Sequence, residues 1–163
     1  MSILNGKNIL LGISGGIAAY KTTFLVRLLI KSGANVQVVM SSSAKDFVTP
    51  LTLSTLSKRP VLSEFFNKNE QNKLWNNHVE LALWADYIVI APATANTLSK
   101  MASARSDNLL IATYLSSKCP VYFAPAMDLD MHKNLANQDN IEKLISYGNI
   151  HIPVNSGFLA SGL

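Results

Sequence analysis

Four short apolar runs recur along this chain: Asn8-Ile-Leu-Leu-Gly-Ile13, Asn35-Val-Gln-Val-Val-Met40, Tyr87-Ile-Val-Ile-Ala91 and Val121-Tyr-Phe-Ala124. A strand with one face in water alternates apolar and polar residues. These runs are close to continuous, so they read as strands of a parallel sheet covered on both faces. Segments of helical spacing lie between them, as parallel crossovers require. Residues 17–31 carry Tyr20, Phe24, Leu25, Leu28 and Leu29 on a helical period, and Gly33 closes the helix. Further helices are expected over 44–56, 78–85 and 138–147, the last closed by Gly148. Another is expected over 95–115, with a break near Arg105-Ser-Asp-Asn108. Residues 67–77 are polar and asparagine-rich and read as a surface loop, and 150–153 read as a last short strand. The expected architecture is one α/β domain over residues 1–163, a doubly wound parallel sheet of Rossmann-like or flavodoxin-like type.

Composition narrows the setting. The chain is 48% hydrophobic and only 15% charged, which implies an apolar face to hide and hence an oligomer. No apolar run reaches the roughly 18 residues of a membrane span, and the N-terminus lacks the pattern of a cleaved signal. A cytoplasmic protein with no membrane partner follows. The net charge of +4 comes from scattered lysines without a basic stripe, so nucleic acid is not an expected partner and a small anionic ligand is. The single cysteine, Cys119, excludes an internal disulfide and begins an apolar strand, where it reads as core. No metal-ligand set is apparent. The Gly- and Ser-rich tail, 155–163, has no stop signal and reads as a cut or a loop continuing elsewhere.

Ligand-binding residues are sought at the strand ends. Thr94, Ala95, Asn96 and Thr97 crowd one strand-to-helix turn with more hydrogen-bonding capacity than a turn needs, which suits a polar, flat ligand. The first turn contains Ser14-Gly-Gly-Ile17, whose glycines let backbone approach an anion at a helix start. It is not a Walker loop, because Tyr20 rather than Gly precedes Lys21. Nor is it a dinucleotide fingerprint: the glycine spacing differs, and the second strand ends in Ser41-Ser-Ser43 instead of an acid. Three hydroxyls suit a phosphate. The same residues also suit an ordinary tight turn beside a polar loop. His78 stands at a helix start, where the dipole favours neutral imidazole and hence a base; alone it equally reads as a surface or capping histidine. In Ala126-Met-Asp-Leu-Asp-Met131, two methionines beside two acids either line a pocket, or Asp128 or Asp130 caps the next helix.

Taken in order, Ser14-Gly-Gly-Ile-Ala-Ala-Tyr-Lys21, His78-Val-Glu-Leu-Ala-Leu-Trp-Ala-Asp86, Pro92-Ala-Thr-Ala-Asn-Thr97 and Pro125-Ala-Met-Asp-Leu-Asp-Met131 resemble the homo-oligomeric flavin-containing cysteine decarboxylases. The branch that acts on phosphopantothenoylcysteine in coenzyme A biosynthesis is the most similar. The resemblance implies FMN as cofactor. It assigns Gly15, Gly16, Ser41 and Ser43 to the phosphate and Thr94, Asn96 and Thr97 to the flavin, with Ile17, Ala95 and Met127 in the same set. It implies His78 as the catalytic histidine, a homotrimer or homododecamer, and a phosphopantothenate-cysteine ligase, fused or separate, as partner. The implied chemistry is thiol oxidation, CO2 loss and re-reduction.

Two positions depart from the family pattern. Asp128 stands where the family has an Asn that contacts the substrate carboxylate. An ionised Asp there must be protonated, reoriented or paired with a cation. Ser161 stands where the family has a cysteine that donates the final proton, and a hydroxyl is a far weaker acid than a thiol of pKa about 8.5. Ser161 is compatible with a second reading, an oxidative peptidyl-cysteine decarboxylase that stops at the ene-thiol. A flavin prenyltransferase and a non-catalytic flavin-binding module are further readings. His78 counts against the module and, with the Asp128 stretch, favours a decarboxylase over the prenyltransferase.

Overall fold

A computed structural model of the chain describes residues 2–66 and 75–153. Five parallel strands form one sheet: β1 (Asn8–Ile13), β2 (Asn35–Met40), β3 (Tyr87–Ala93), β4 (Val121–Pro125) and β5 (Ile150–His151), in the order β2-β1-β3-β4-β5. This is the flavodoxin-like order, and its switch point lies between β1 and β3. The helices are α1 (Thr22–Lys31), α2 (Pro50–Ser57), α3 (His78–Trp84), α4 (Ala95–Ser103), α5 (Leu109–Leu115), α6 (Leu129–Lys133) and α7 (Leu135–Ser146). Among the described residues no helix is long and apolar enough to cross a membrane.

The sheet separates two cores. Leu11, Ile13, Val38 and Met40 face Val26 of α1 and Leu53 of α2. On the other side Leu10, Ile88, Ile90 and Phe123 meet Leu98, Met101, Leu109, Ile111 and Leu144 from α4, α5 and α7, with Leu81 and Trp84 of α3 packed against them. Crossovers are right-handed, so those running the same way along a sheet land on the same face. Only β1 to β2 runs toward the β2 edge, and it carries α1. The other three run the opposite way and bring α3, α4, α5 and α7 to the second face, while α2, which begins the β2-to-β3 connection, stays beside α1 on the first.

The expectation of a sheet covered on both faces therefore holds only for β1 and β2. On the α1 side, Tyr87, Val89 and Ala91 of β3 and Tyr122 and Ala124 of β4 are half-buried, while their neighbours along each strand are buried. Ile150 pairs with Tyr122, which puts it on the same open face. The apolar surface continues onto α1, where Phe24 and Leu28 are each 63% exposed. The apolar face inferred from composition is this one.

Helix boundaries depart from the sequence reading where capping chemistry intervenes. Residues 17–21 form a 3-10 turn ahead of α1. The expected helix over 44–56 is a 3-10 turn (Ser42–Asp46) followed by α2, which begins at Pro50. Proline lacks an N–H and suits a first helical position, and Thr49 caps it by accepting from Thr52 N at 3.2 Å. The expected break near 105–108 is real: Ala104 adopts φ 57 and ends α4. Asn108 then starts α5, its Oδ1 accepting from Ile111 N at 2.9 Å. An Asn108→Ala variant loses about 1 kcal/mol of stability, a lowered urea midpoint with unchanged slope. α7 starts at Leu135 rather than Gln138 because Asn134 caps it. The five-residue α6 begins after Asp128, where a helix start is one of the two expectations, but its extent carries no periodic signal; β5 ends at His151 rather than 153. Gly33 closes α1 with φ 88, as its position implied. Cys119 packs against the core, and burial pushes its thiol pKa up.

Candidate functional site

Three strand-end loops meet at the switch point, and a buried hydroxyl joins two of them. Ser14 follows β1 and is 1% exposed. Its Oγ donates to the Pro92 carbonyl at 2.5 Å and accepts from Thr94 N at 3.0 Å. The β1 and β3 loops are thus held by one side chain. The β2 loop closes against them: Ser41 N donates to the Ile13 carbonyl at 2.9 Å, and the Ser41 and Ser43 hydroxyls are 3.3 Å apart. At Gly15 a side chain has no room, since a Cβ there would lie 2.1 Å from Ser43 Oγ and 2.9 Å from the Ser43 carbonyl carbon. At Gly16 it would lie 3.1 Å from Thr94 Cγ2.

Thr94 caps α4, its Oγ1 accepting from Thr97 N at 3.3 Å. The first N–H groups of a helix have no partner within it, so those of Ala95 and Asn96 point at the same place. Backbone donors, three serine or threonine hydroxyls and no carboxylate make a cradle that fits a phosphate ester. Asn96 and Ile17 are exposed at its edge, while Thr97 is buried.

A cleft of about 200 Å³ runs beside the cradle. Ala18, Lys21, Thr22 and Leu25 line it from the α1 side, and Ala91, Pro92 and Ala124 to Ala126 line it from the ends of β3 and β4. Small residues on one wall suit a flat body. Lys21 forms no ion pair among the described residues and brings a positive charge to the cleft. In sequence the only signal for Lys21 is its place at the end of the motif Ser14–Lys21.

Ala126 N donates to the Ala93 carbonyl at 3.1 Å, which ties the β4 loop to the β3 loop. Met127 there is half-buried against the core. Asp128 is exposed and sits at the start of α6, but its side chain makes no capping hydrogen bond. Its carboxylate is left for another partner, so capping does not account for it.

His78 is elsewhere. It is the first residue of α3, and the cap is Asn77, whose Oδ1 accepts from Val79 N at 2.9 Å and Glu80 N at 3.2 Å. The reading of His78 as a capping residue therefore falls away. Its ring lies 6.0 Å from those of Phe65 and Trp75, and its Nδ1 is buried without a hydrogen-bond partner. The far end of α3 reaches the amino end of the strands, where the Trp84 carbonyl accepts from Asn8 Nδ2 at 3.1 Å. His78 is thus at the same end of the sheet as the cradle, but its helix packs on the face away from the cleft. No hydrogen bond or ring contact joins it to Gly15, Thr94 or Asp128 among the described residues. Ser161 and the rest of the 154–163 tail lie outside the described residues.

Comparison with known proteins gives the family and the fold. The flavoprotein family profile matches residues 2–160. The coenzyme A biosynthesis bifunctional protein CoaBC of Vibrio cholerae is 47% identical over 148 residues, 91% of this chain and 37% of that protein. A cysteine/cysteine sulfinic acid decarboxylase of an unidentified prokaryote is 55% identical over 116 residues, 71% of this chain and 32% of that protein. The chain thus spans about a third of the length of these relatives. A solved PPC decarboxylase, a cysteine-to-serine mutant complexed with pantothenoylaminoethenethiol, superposes with a TM-score of 0.83 at 31% identity, covering 97% of this chain and 87% of that one.

Proposed function

The chain belongs to the flavoprotein family, and from that premise we propose that it is an FMN-dependent decarboxylase. Its proposed substrate is 4'-phospho-N-pantothenoylcysteine and its product 4'-phosphopantetheine, a step of coenzyme A biosynthesis. The observation that carries this reading is the convergence of the Gly15, Ser43 and Thr94 loops on one phosphate-sized cradle at the β1/β3 switch point. Gly15, Gly16, Ile17, Ser41 and Ser43 hold the cofactor phosphate. Thr94, Ala95, Asn96, Thr97 and Met127 hold the flavin beside the narrow cleft. When bound, FMN supplies the two-electron oxidation of the substrate thiol that gives CO2 loss an electron sink, and the return of those electrons.

The protein's own groups orient the substrate and move its protons. His78 exchanges a proton with the reacting substrate. Asp128, with a carboxylate free of its helix, hydrogen-bonds the substrate at the cleft mouth. Lys21 supplies the cation that a carboxylate substrate needs if Asp128 is ionised. Because α3 and the cleft lie on opposite faces of one chain, the working unit is a homo-oligomer, a homotrimer or homododecamer in the resemblance. The open face of β3 and β4 is the surface it covers. A phosphopantothenate-cysteine ligase, fused or separate, acts beside it. A phosphorylated substrate does not cross membranes unaided, so the setting is the cytoplasm.

Ser161 favours a second reading in which the reaction ends at the ene-thiol. The solved relative that carries serine for cysteine is complexed with such a compound. Two measurements separate the cases. The purified protein should be yellow, with flavin absorbance that survives gel filtration; a colourless protein that cannot be reconstituted removes the cofactor assignment. Mass spectrometry of the product from 4'-phospho-N-pantothenoylcysteine should give the saturated thiol for Ser161→Cys. A wild-type product lighter by two hydrogens identifies the oxidative branch.

A further inference from the structure

A second concave site lies on the far side of α3, away from the cradle. It is a groove of about 380 Å³ between α3 and the segment that follows α2, and Gln37, Arg59, Trp75, Asn77, Glu80 and Trp84 are among its lining residues. Arg59 is held there in a fixed pose. Its guanidinium carbon stands 4.8 Å from the centre of the Trp84 ring. Its Nε donates to Gln37 Oε1 at 3.3 Å. Gln37 is only 6% exposed, and its amide is itself pinned, donating to the Pro60 carbonyl at 2.9 Å and the Val38 carbonyl at 3.1 Å. A buried amide on the sheet thus orients the guanidinium, and an indole covers one of its faces.

What remains is the outer fork of two nitrogens, which suits a planar oxyanion bidentately. Among the described residues it has no acceptor. Glu80 lines the same groove and also forms no ion pair. Opposite charges sharing a small cavity gain by meeting, and these two do not meet. If the Gln37–Arg59–Trp84 stack served only to close the sheet edge, neither the empty fork nor the unpaired carboxylate facing the same space would follow. Asn77 spends its oxygen on the α3 cap and keeps its amide donor. Trp75 adds an apolar wall.

We infer that this groove is a second ligand site, for a small amino carboxylate. The ligand carboxylate sits on the Arg59 fork, its ammonium faces Glu80, and its apolar side chain lies against Trp75. The groove shares no lining residue with the flavin cradle, and its Trp75 also packs against the His78 ring.

The chain has two tryptophans, and both line this groove, so indole fluorescence reads the site directly. Flavin-loaded protein is titrated with L-leucine, 3-methylbutylamine, 4-methylpentanoate and inorganic phosphate. L-Leucine should give a saturable change. The amine and the acid, each lacking one charge, should bind about tenfold weaker or worse. Arg59→Lys keeps the charge but loses the planar fork, and should weaken L-leucine by about tenfold or more. Glu80→Gln should weaken L-leucine and leave 4-methylpentanoate unchanged. Flavin content and circular dichroism check that each variant is folded, and the exposed Glu80 decides the matter if Arg59→Lys is not. An absent or non-saturable response to L-leucine, a response indifferent to both variants, or phosphate binding as tightly as L-leucine overturns the inference.

Discussion

His78→Asn will abolish most CO2 release and leave the flavin in place. General acid–base catalysis by a positioned side chain is worth about 10²–10⁴-fold, and a loss in that range is the expected result. The geometry supports a clean test. Asn is smaller than His, and Asn77 rather than His78 caps α3, so the helix keeps its start. The ring is fixed by Phe65 and Trp75. With Nδ1 buried and unpartnered, the other ring nitrogen is the one left to exchange protons. Asn offers an amide that neither takes up nor returns a proton near neutral pH. Flavin absorbance and melting temperature should match the wild type while CO2 release falls. Unchanged turnover takes His78 out of the chemistry.

Gly15→Ala should weaken FMN by about 5–150-fold, which is what an overpacking cost of about 1–3 kcal/mol amounts to. A rotated Ser43 side chain relieves the 2.1 Å approach to its Oγ, but not the 2.6 Å approach to its Cβ or the 2.9 Å approach to its carbonyl carbon. The β2 loop must move as backbone, taking Ser41 and Ser43 with it. Gly16→Ala is the internal comparison. There the nearest atom is a methyl carbon at 3.1 Å, which yields by a few tenths of an ångström. Equilibrium titration of apoprotein with FMN should order the proteins as wild type, Gly16→Ala, Gly15→Ala. Equal affinity in all three means that the phosphate does not sit in this cradle.

The strands were legible because apolar continuity survives without tertiary information; β1 and β2 fall where the runs begin and end. The half-open sheet was not, because Tyr87, Val89, Ala91, Tyr122 and Ala124 are themselves apolar. A strand that alternates between buried and half-buried apolar residues looks the same in sequence as one buried on both sides. α6 escaped because five residues show no period, and none of them is buried. At the site, the hydroxyl-rich loops announced themselves locally. The approach of Gly15 to Ser43, and the hold of Gln37 on Arg59, join residues far apart in the chain and leave no local trace. Lys21 was one lysine among several until the cleft singled it out.

The Ser14 hydroxyl spans 78 positions of sequence to reach Pro92. Contacts of that separation form late, since the long loop between them must close first. During synthesis the first turn leaves the ribosome early, glycines and all, yet it has nothing to lean on until β3 and the start of α4 follow. Both β3 and the start of α4 must be out before the Gly15, Ser43 and Thr94 loops can meet. On the proposed placement of FMN, a nascent chain stalled before Pro92 is expected to stay colourless however much FMN surrounds it.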